Sequence, residues 1–168
     1  MPSMPKMPHA RGGFTLIELT VAVGLILLLT GTVIANYNRY NDRQKVKQAA
    51  LTLKNNLRLA QTKANSAEWP LSCITPCTCT QLNGYMVSYT GSTYSTRAFC
   101  SEGLVGNTET ITLPAGITFP TVPPSMMFQV LSRGIAISAP VTISVTGSSV
   151  TYDIQVDPSG DVNDLGFQ

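Results

Sequence analysis

The sequence predicts an α+β protein: a long N-terminal α-helix, with a membrane half and an amphipathic half, packed on a C-terminal antiparallel β domain. Three observations predict it. A short basic leader is followed by an apolar run of about 22 residues, Phe14 to Ala35, near the ~20 residues that cross a bilayer as a helix. Apolar residues then recur at spacings of three and four as far as Ala64, with no proline between residues 14 and 69. Beyond residue 70 the composition turns to Thr, Ser, Val, Ile and Gly, and a period of two takes over.

Residues 1–13 read as a leader, with Lys6, His9 and Arg11 as its basic part. In a secretory signal the small residues of the cleavage site follow the apolar region. Here Gly12 and Gly13 precede it. A cut after Gly13 removes the leader, keeps the apolar helix and leaves Phe14 as the new N-terminus; an uncleaved signal anchor is the alternative. The leader charges place the leader in the cytoplasm and the C-terminal part outside. The basic residues Arg39, Arg43, Lys45, Lys47 and Lys54 argue the other way, but they are diluted along an extended helix.

Residues 14–35 form the expected transmembrane helix, and Glu18 is the acidic residue just inside it. A carboxylate at the centre of a span costs about 2.5–3.5 kcal/mol, less near an interface, and such charges usually pair. Either Glu18 has a partner in an assembly, or it snorkels to the headgroups and favours the helix N-terminus through the macrodipole. Gly24 and Gly31 are tolerated in membrane helices. Residues 36–68 continue the helix, with Val46, Ala49, Ala50, Leu53, Leu57, Ala60 and Ala64 on one face. Trp69-Pro70 marks the exit, with Trp69 a core or rim aromatic.

Residues 69–168 are the expected extracytoplasmic β domain. Tyr85, Val87 and Tyr89 alternate after the turn dipeptide Asn83-Gly84. Phe128 and Val130, then Ile135 and Ile137, alternate around Arg133-Gly134. Val141, Ile143 and Val145 lead into Gly147-Ser148-Ser149, and Val150, Tyr152, Ile154 and Val156 lead out, which is a hairpin. Shorter strands are expected at 94–100, 109–113 and 116–119, and Pro120 to Pro124 is a loop.

Gly13-Phe14-Thr15-Leu16-Ile17-Glu18-Leu19 resembles the class III signal of type IV pilins and type II secretion pseudopilins. The resemblance implies cleavage by a prepilin peptidase between Gly13 and Phe14, N-methylation of Phe14, and assembly through Glu18, which would pair with the free α-amino group of a neighbouring subunit's Phe14. The implied partners are other pilins or pseudopilins in a filament, the prepilin peptidase, an inner-membrane assembly platform, and lipid before assembly. The implied location is the bacterial cytoplasmic membrane, crossed once, with the C-terminal domain periplasmic or extracellular. Further on, Leu113-Pro114-Ala115-Gly116-Ile117-Thr118-Phe119, Phe128-Gln129-Val130 and a final hairpin ending Asp157-Pro158-Ser159-Gly160 resemble, more loosely, the GspH/FimT group of minor pilins and pseudopilins. The expected function is thus that of a structural minor subunit of a pilus or pseudopilus. The alternative is a DNA-binding minor pilin of a transformation system.

Cys73, Cys77, Cys79 and Cys100 all fall on the expected outer side, where disulfides persist. Four cysteines allow three connectivities; a Cys77–Cys79 link closes a very small loop and is disfavoured. A zinc site fits poorly, because the spacing C-x3-C-x-C departs from the usual ligand spacings; free thiols are the third reading. His9, the one histidine of the chain, lies in the leader, so the mature chain cannot build a Ser-His-Asp or Cys-His site. No phosphate-binding glycine loop occurs either, and no enzyme, cofactor or metal is expected. Without Lys6 and Arg11 the chain has nine Lys plus Arg against nine Asp plus Glu, which gives no electrostatic case for nucleic acid. The tail carries Asp157, Asp161 and Asp164, which would repel phosphate. It lacks EF-hand spacing for calcium and reads as a β-turn followed by a solvated acidic tail.

Overall fold

The computed structural model describes residues 13–70, 79–131 and 134–168, and of residues 31–36 the backbone alone. One helix, α1 (Leu16–Asn65), precedes β1 (Leu82–Tyr89), β2 (Thr93–Cys100), β3 (Gly103–Thr112), β4 (Met126–Gln129), β5 (Val141–Thr146), β6 (Thr151–Val156) and β7 (Val162–Phe167). The chain divides into two units, one ending at Asn38 and the other comprising Arg39–Gln168.

In the second unit the strands form two antiparallel sheets, one of order β3-β2-β1-β4 and one of order β5-β6-β7. Alternation sets the buried face of each. Tyr85, Val87 and Tyr89 face inward from β1, Tyr94 and Ala98 from β2, Ile143 and Val145 from β5, and Tyr152, Ile154 and Val156 from β6. The helix contributes Val46, Ala49, Ala50, Leu53, Leu57, Ala60 and Ala64, all buried in the same core. Four of these seven are alanines, so the helix backbone can lie close to the strands.

Local chemistry fixes the ends of the elements. At the helix C-terminus Glu68 N–H donates to Lys63 O at 3.0 Å and Ala67 N–H to Ala64 O at 3.1 Å. This is the paired closure of a Schellman motif, with Ala67 in the left-handed position at φ 50°. The helix therefore stops before Trp69-Pro70, and Trp69 is half exposed. In the β5–β6 loop, Gly147 lies against the helix: a Cβ there would come within 2.6 Å of Val46 Cγ2 and 2.8 Å of Asp42 Oδ1.

The expected fold class is corrected. The helix side chains are described in two stretches, 16–30 and 37–65, and no helix of the described residues is long and apolar enough to cross a membrane. The rest of the expected span, residues 31–35, lies outside the described side chains, and leader residues 1–12 lie outside the described residues altogether. The expected antiparallel β region consists of two sheets, and the unit from Arg39 to Gln168 is mainly β.

Three smaller expectations also change. Residues 116–119 form no strand; Thr118 makes an isolated bridge to Thr146. The strand expected at 109–113 begins at Gly103. The expected turn is present, with Gly160 N–H donating to Asp157 O at 2.8 Å, but the tail beyond it is strand β7, paired with β6 from Val156↔Val162 to Tyr152↔Phe167, with Asp161 and Asp164 exposed.

Leu53→Ala, which empties a fully buried helix position, is expected to destabilise the protein by about 2–5 kcal/mol in urea denaturation. Ala67→Gly is expected to act in the opposite direction, raising stability by about 1 kcal/mol in the same measurement, because glycine takes the left-handed conformation without a Cβ penalty.

Candidate functional site

The N-terminal stretch of α1 is built as an apolar surface. Every large apolar residue from Phe14 to Leu29 is exposed, from 48% at Val23 to 82% at Phe14. The hydroxyls do not interrupt it: Thr20 Oγ1 donates to Ile17 O at 2.9 Å and Thr30 Oγ1 to Ile26 O at 2.7 Å, returning polar atoms to the helix's own backbone. Gly24 has open space where a Cβ would sit. Gly13 and Phe14 precede the first helical residue and are exposed.

Glu18 sits in the first turn of the helix, the local placement that the macrodipole alternative anticipated, and the structure adds a Thr15 cap that the residue pattern contained and the sequence reading did not name. Thr15 Oγ1 accepts the Glu18 N–H at 3.3 Å. Thr15-Leu16-Ile17-Glu18 is thus a Thr-x-x-Glu helix start, with an N-cap hydroxyl and an acid in the first turn. This places the carboxylate at the positive end of the helix dipole, exposed and beside the apolar surface.

Two of the five clustered basic residues, Arg43 and Lys54, are engaged within the chain, as is Arg58 beyond them. Lys54 Nζ pairs with Asp164 Oδ2 at 2.5 Å, and Arg58 Nη2 donates to Val162 O at 3.2 Å. Arg43 Cζ lies 5.5 Å from the centroid of the Phe167 ring, which meets Tyr152 edge-on at 5.0 Å. Residues 58, 54 and 43 therefore meet 162, 164 and 167 in turn, and β7 is fastened along the helix. The remaining tail acids are engaged as well: Asn163 donates to Asp157 at 3.0 Å, and Ser159 to Asp161 at 3.0 Å. Among the described residues no group of three or more His, Cys, Asp or Glu is arranged to hold a metal ion.

A disulfide joins Cys79 to Cys100, with Cα atoms 5.5 Å apart. It closes the start of β1 onto the end of β2; closing a loop of this size stabilises by about 3 kcal/mol. Cys73 and Cys77 lie outside the described residues. Glu102 secures the same corner. Its carboxylate accepts the hydroxyl and the N–H of Thr80 and the hydroxyl of Ser101. On the helix, Asp42 plays a similar part, accepting the N–H and hydroxyl of Ser149 at 3.0 and 2.9 Å and those of Ser148 at 3.4 Å. Desolvation raises the Asp42 pKa, but these hydrogen bonds outweigh it and hold the group below its ordinary value.

A groove of about 220 Å³ opens between the helix end and the larger sheet, lined by Lys63, Glu68, Tyr85, Thr96, Arg97 and Glu109 among others. The phenol of Tyr85 donates to Glu68 O at 2.6 Å, and Lys63 lies 3.9 Å from Glu109. Tyr89, deeper in the core, keeps a buried hydroxyl without a hydrogen-bond partner among the described residues, and burial pushes its pKa up.

No family model, no curated protein and no solved structure matches this chain.

The Thr80 hydroxyl, then that of Ser101, holds the Glu102 carboxyl down from 4.5 to about 2. A depressed acid stabilises the fold above its unfolded pKa and loses that contribution as pH falls through the folded value. The melting-temperature difference between the native chain and Glu102→Gln is therefore expected in full above pH 4.5 and to vanish as pH falls toward about 2. Thermal melts across that range check it.

Proposed function

We propose that this chain is a structural minor subunit of a type IV pilus or type II secretion pseudopilus, built into its filament through the apolar N-terminal helix surface. The observation that carries the proposal is the exposed run from Phe14 to Leu29, whose hydroxyls are turned back onto the backbone and whose one charge, Glu18, sits at the first turn. So large a contiguous apolar surface calls for a cover of lipid or other helices. The Gly13-Phe14 junction supplies the processing step: a prepilin peptidase removes residues 1–13, and Phe14 carries the new, methylated N-terminus. Glu18 then meets the corresponding amine of a neighbouring subunit.

In this reading the helix is held at the cytoplasmic membrane by an assembly platform and lipid until neighbouring helices cover it. The β unit stands on the periplasmic or extracellular side, where a Cys79–Cys100 disulfide persists. The structural role is favoured over DNA capture because Arg43 and Lys54, two of the five clustered basic residues, are committed to Phe167 and Asp164 within the chain.

Intact-mass measurement of the protein from its native membrane is expected to show loss of residues 1–13 and one added methyl group; an unprocessed mass overturns the proposal. Glu18→Ala is expected to leave processing intact while removing the subunit from sheared filaments, read by immunoblot. Normal incorporation of that variant would refute the assigned role of Glu18.

A further inference from the structure

Arg97 occupies an unusual place in the larger sheet. It lies in β2, yet β3 offers it no register partner: Thr96 faces Glu109 and Ala98 faces Val105, so Gly106, Asn107 and Thr108 bulge out opposite it. Gly106 takes the left-handed conformation, at φ 80°, that such a detour requires. The guanidinium reaches this bulge, with Nη2 3.5 Å from Gly106 O, while Nε is buried with no hydrogen-bond partner among the described residues.

A guanidinium partly withdrawn from water is ordinarily met by a carboxylate. This one is not. The ion pairs among the described residues are Lys54–Asp164 and Lys63–Glu109. The residues outside the description include no Asp or Glu, and among the described residues Glu68 and Glu109, which share its groove, make no ion pair with Arg97.

Arg97 lines the groove beside Lys63, Thr96 and Glu109. One wall of that groove is β3, an edge strand of its sheet. An edge strand can accept the main chain of an extended segment. We infer that the groove is a binding site for an acidic side chain carried by an extended polypeptide segment lying along β3, with Arg97 as the carboxylate receptor. A carboxylate suits it better than a phosphate. The planar guanidinium fork matches a planar carboxylate, and Glu68 and Glu109, which share the groove, oppose a second negative charge. This site does not depend on the filament reading, since any acidic extended partner would satisfy it.

The test is an NMR titration of the full chain in detergent micelles, following the Arg97 Nε–Hε resonance and the backbone amides of residues 106–109. The probes are a capped Thr-Val-Asp-Val-Thr peptide, the same peptide with Asn in place of Asp, acetate, and inorganic phosphate. The Asp peptide is expected to shift both sets of signals saturably, and the Asn peptide to bind roughly tenfold or more weakly, the worth of a charge-assisted hydrogen bond. Arg97→Gln is expected to lower affinity for the Asp peptide to that of the Asn peptide. Equal binding of the two peptides, or no shift with either, overturns the site. Phosphate binding as tightly as the Asp peptide overturns the carboxylate assignment, and acetate doing so overturns the polypeptide occupant. The peptide comparison needs no mutation, so it stands even if Arg97→Gln fails to fold.

Discussion

The burial of one helix stripe against two sheets is the constraint on which the unit from Arg39 to Gln168 depends. Val46, Leu53 and Leu57 supply volume, and the alanines at 49, 50, 60 and 64 let the backbone approach. Removed from this stripe, the inner faces of both sheets would lose their shared cover, since helix and strands contribute to one core. Core packing of this kind supplies most of the stability of a small domain, and hydrogen bonds and charges select the arrangement.

The acidic residues do much of that selecting, each at a place where chain segments must be held together. Asp42 holds the β5–β6 loop against the helix, Asp164 holds β7 to Lys54, and Glu102 closes the corner beside the disulfide. These are short-range contacts at the surface, each of modest strength. Their common effect is to use charge locally, within residues 14–168 that carry nine Lys plus Arg against nine Asp plus Glu. Arg97 departs from this pattern, as a partly buried cation that makes no ion pair and whose Nε has no hydrogen-bond partner among the described residues.

The two units have opposite relations to solvent. From Arg39 onward, apolar residues are buried wherever the helical or strand period places them inward. From Phe14 to Leu29 they are exposed all round, with a capped first turn and self-bonded threonines. A segment so well formed as a helix, with its apolar residues exposed among the described residues, gets its meaning from what surrounds it, which is why the functional proposal rests on this segment and not on the β unit.

Local periodicity determined a good deal. The seven stripe residues were readable from spacing alone, because a helix that must bury one face repeats every three or four positions. The β5–β6 hairpin was readable from its clean alternation around Gly147. The Thr15–Glu18 start was present in the residues and went unread. The tail was misread because Asp157, Asp161 and Asp164 look solvated until Lys54 and the edge of β6 are brought beside them, across more than a hundred residues in the case of Lys54. The division into two sheets, the choice of Cys100 as the partner of Cys79, and the bulge facing Arg97 were likewise tertiary decisions. Each depends on which distant backbone segments lie side by side, and no local period encodes that.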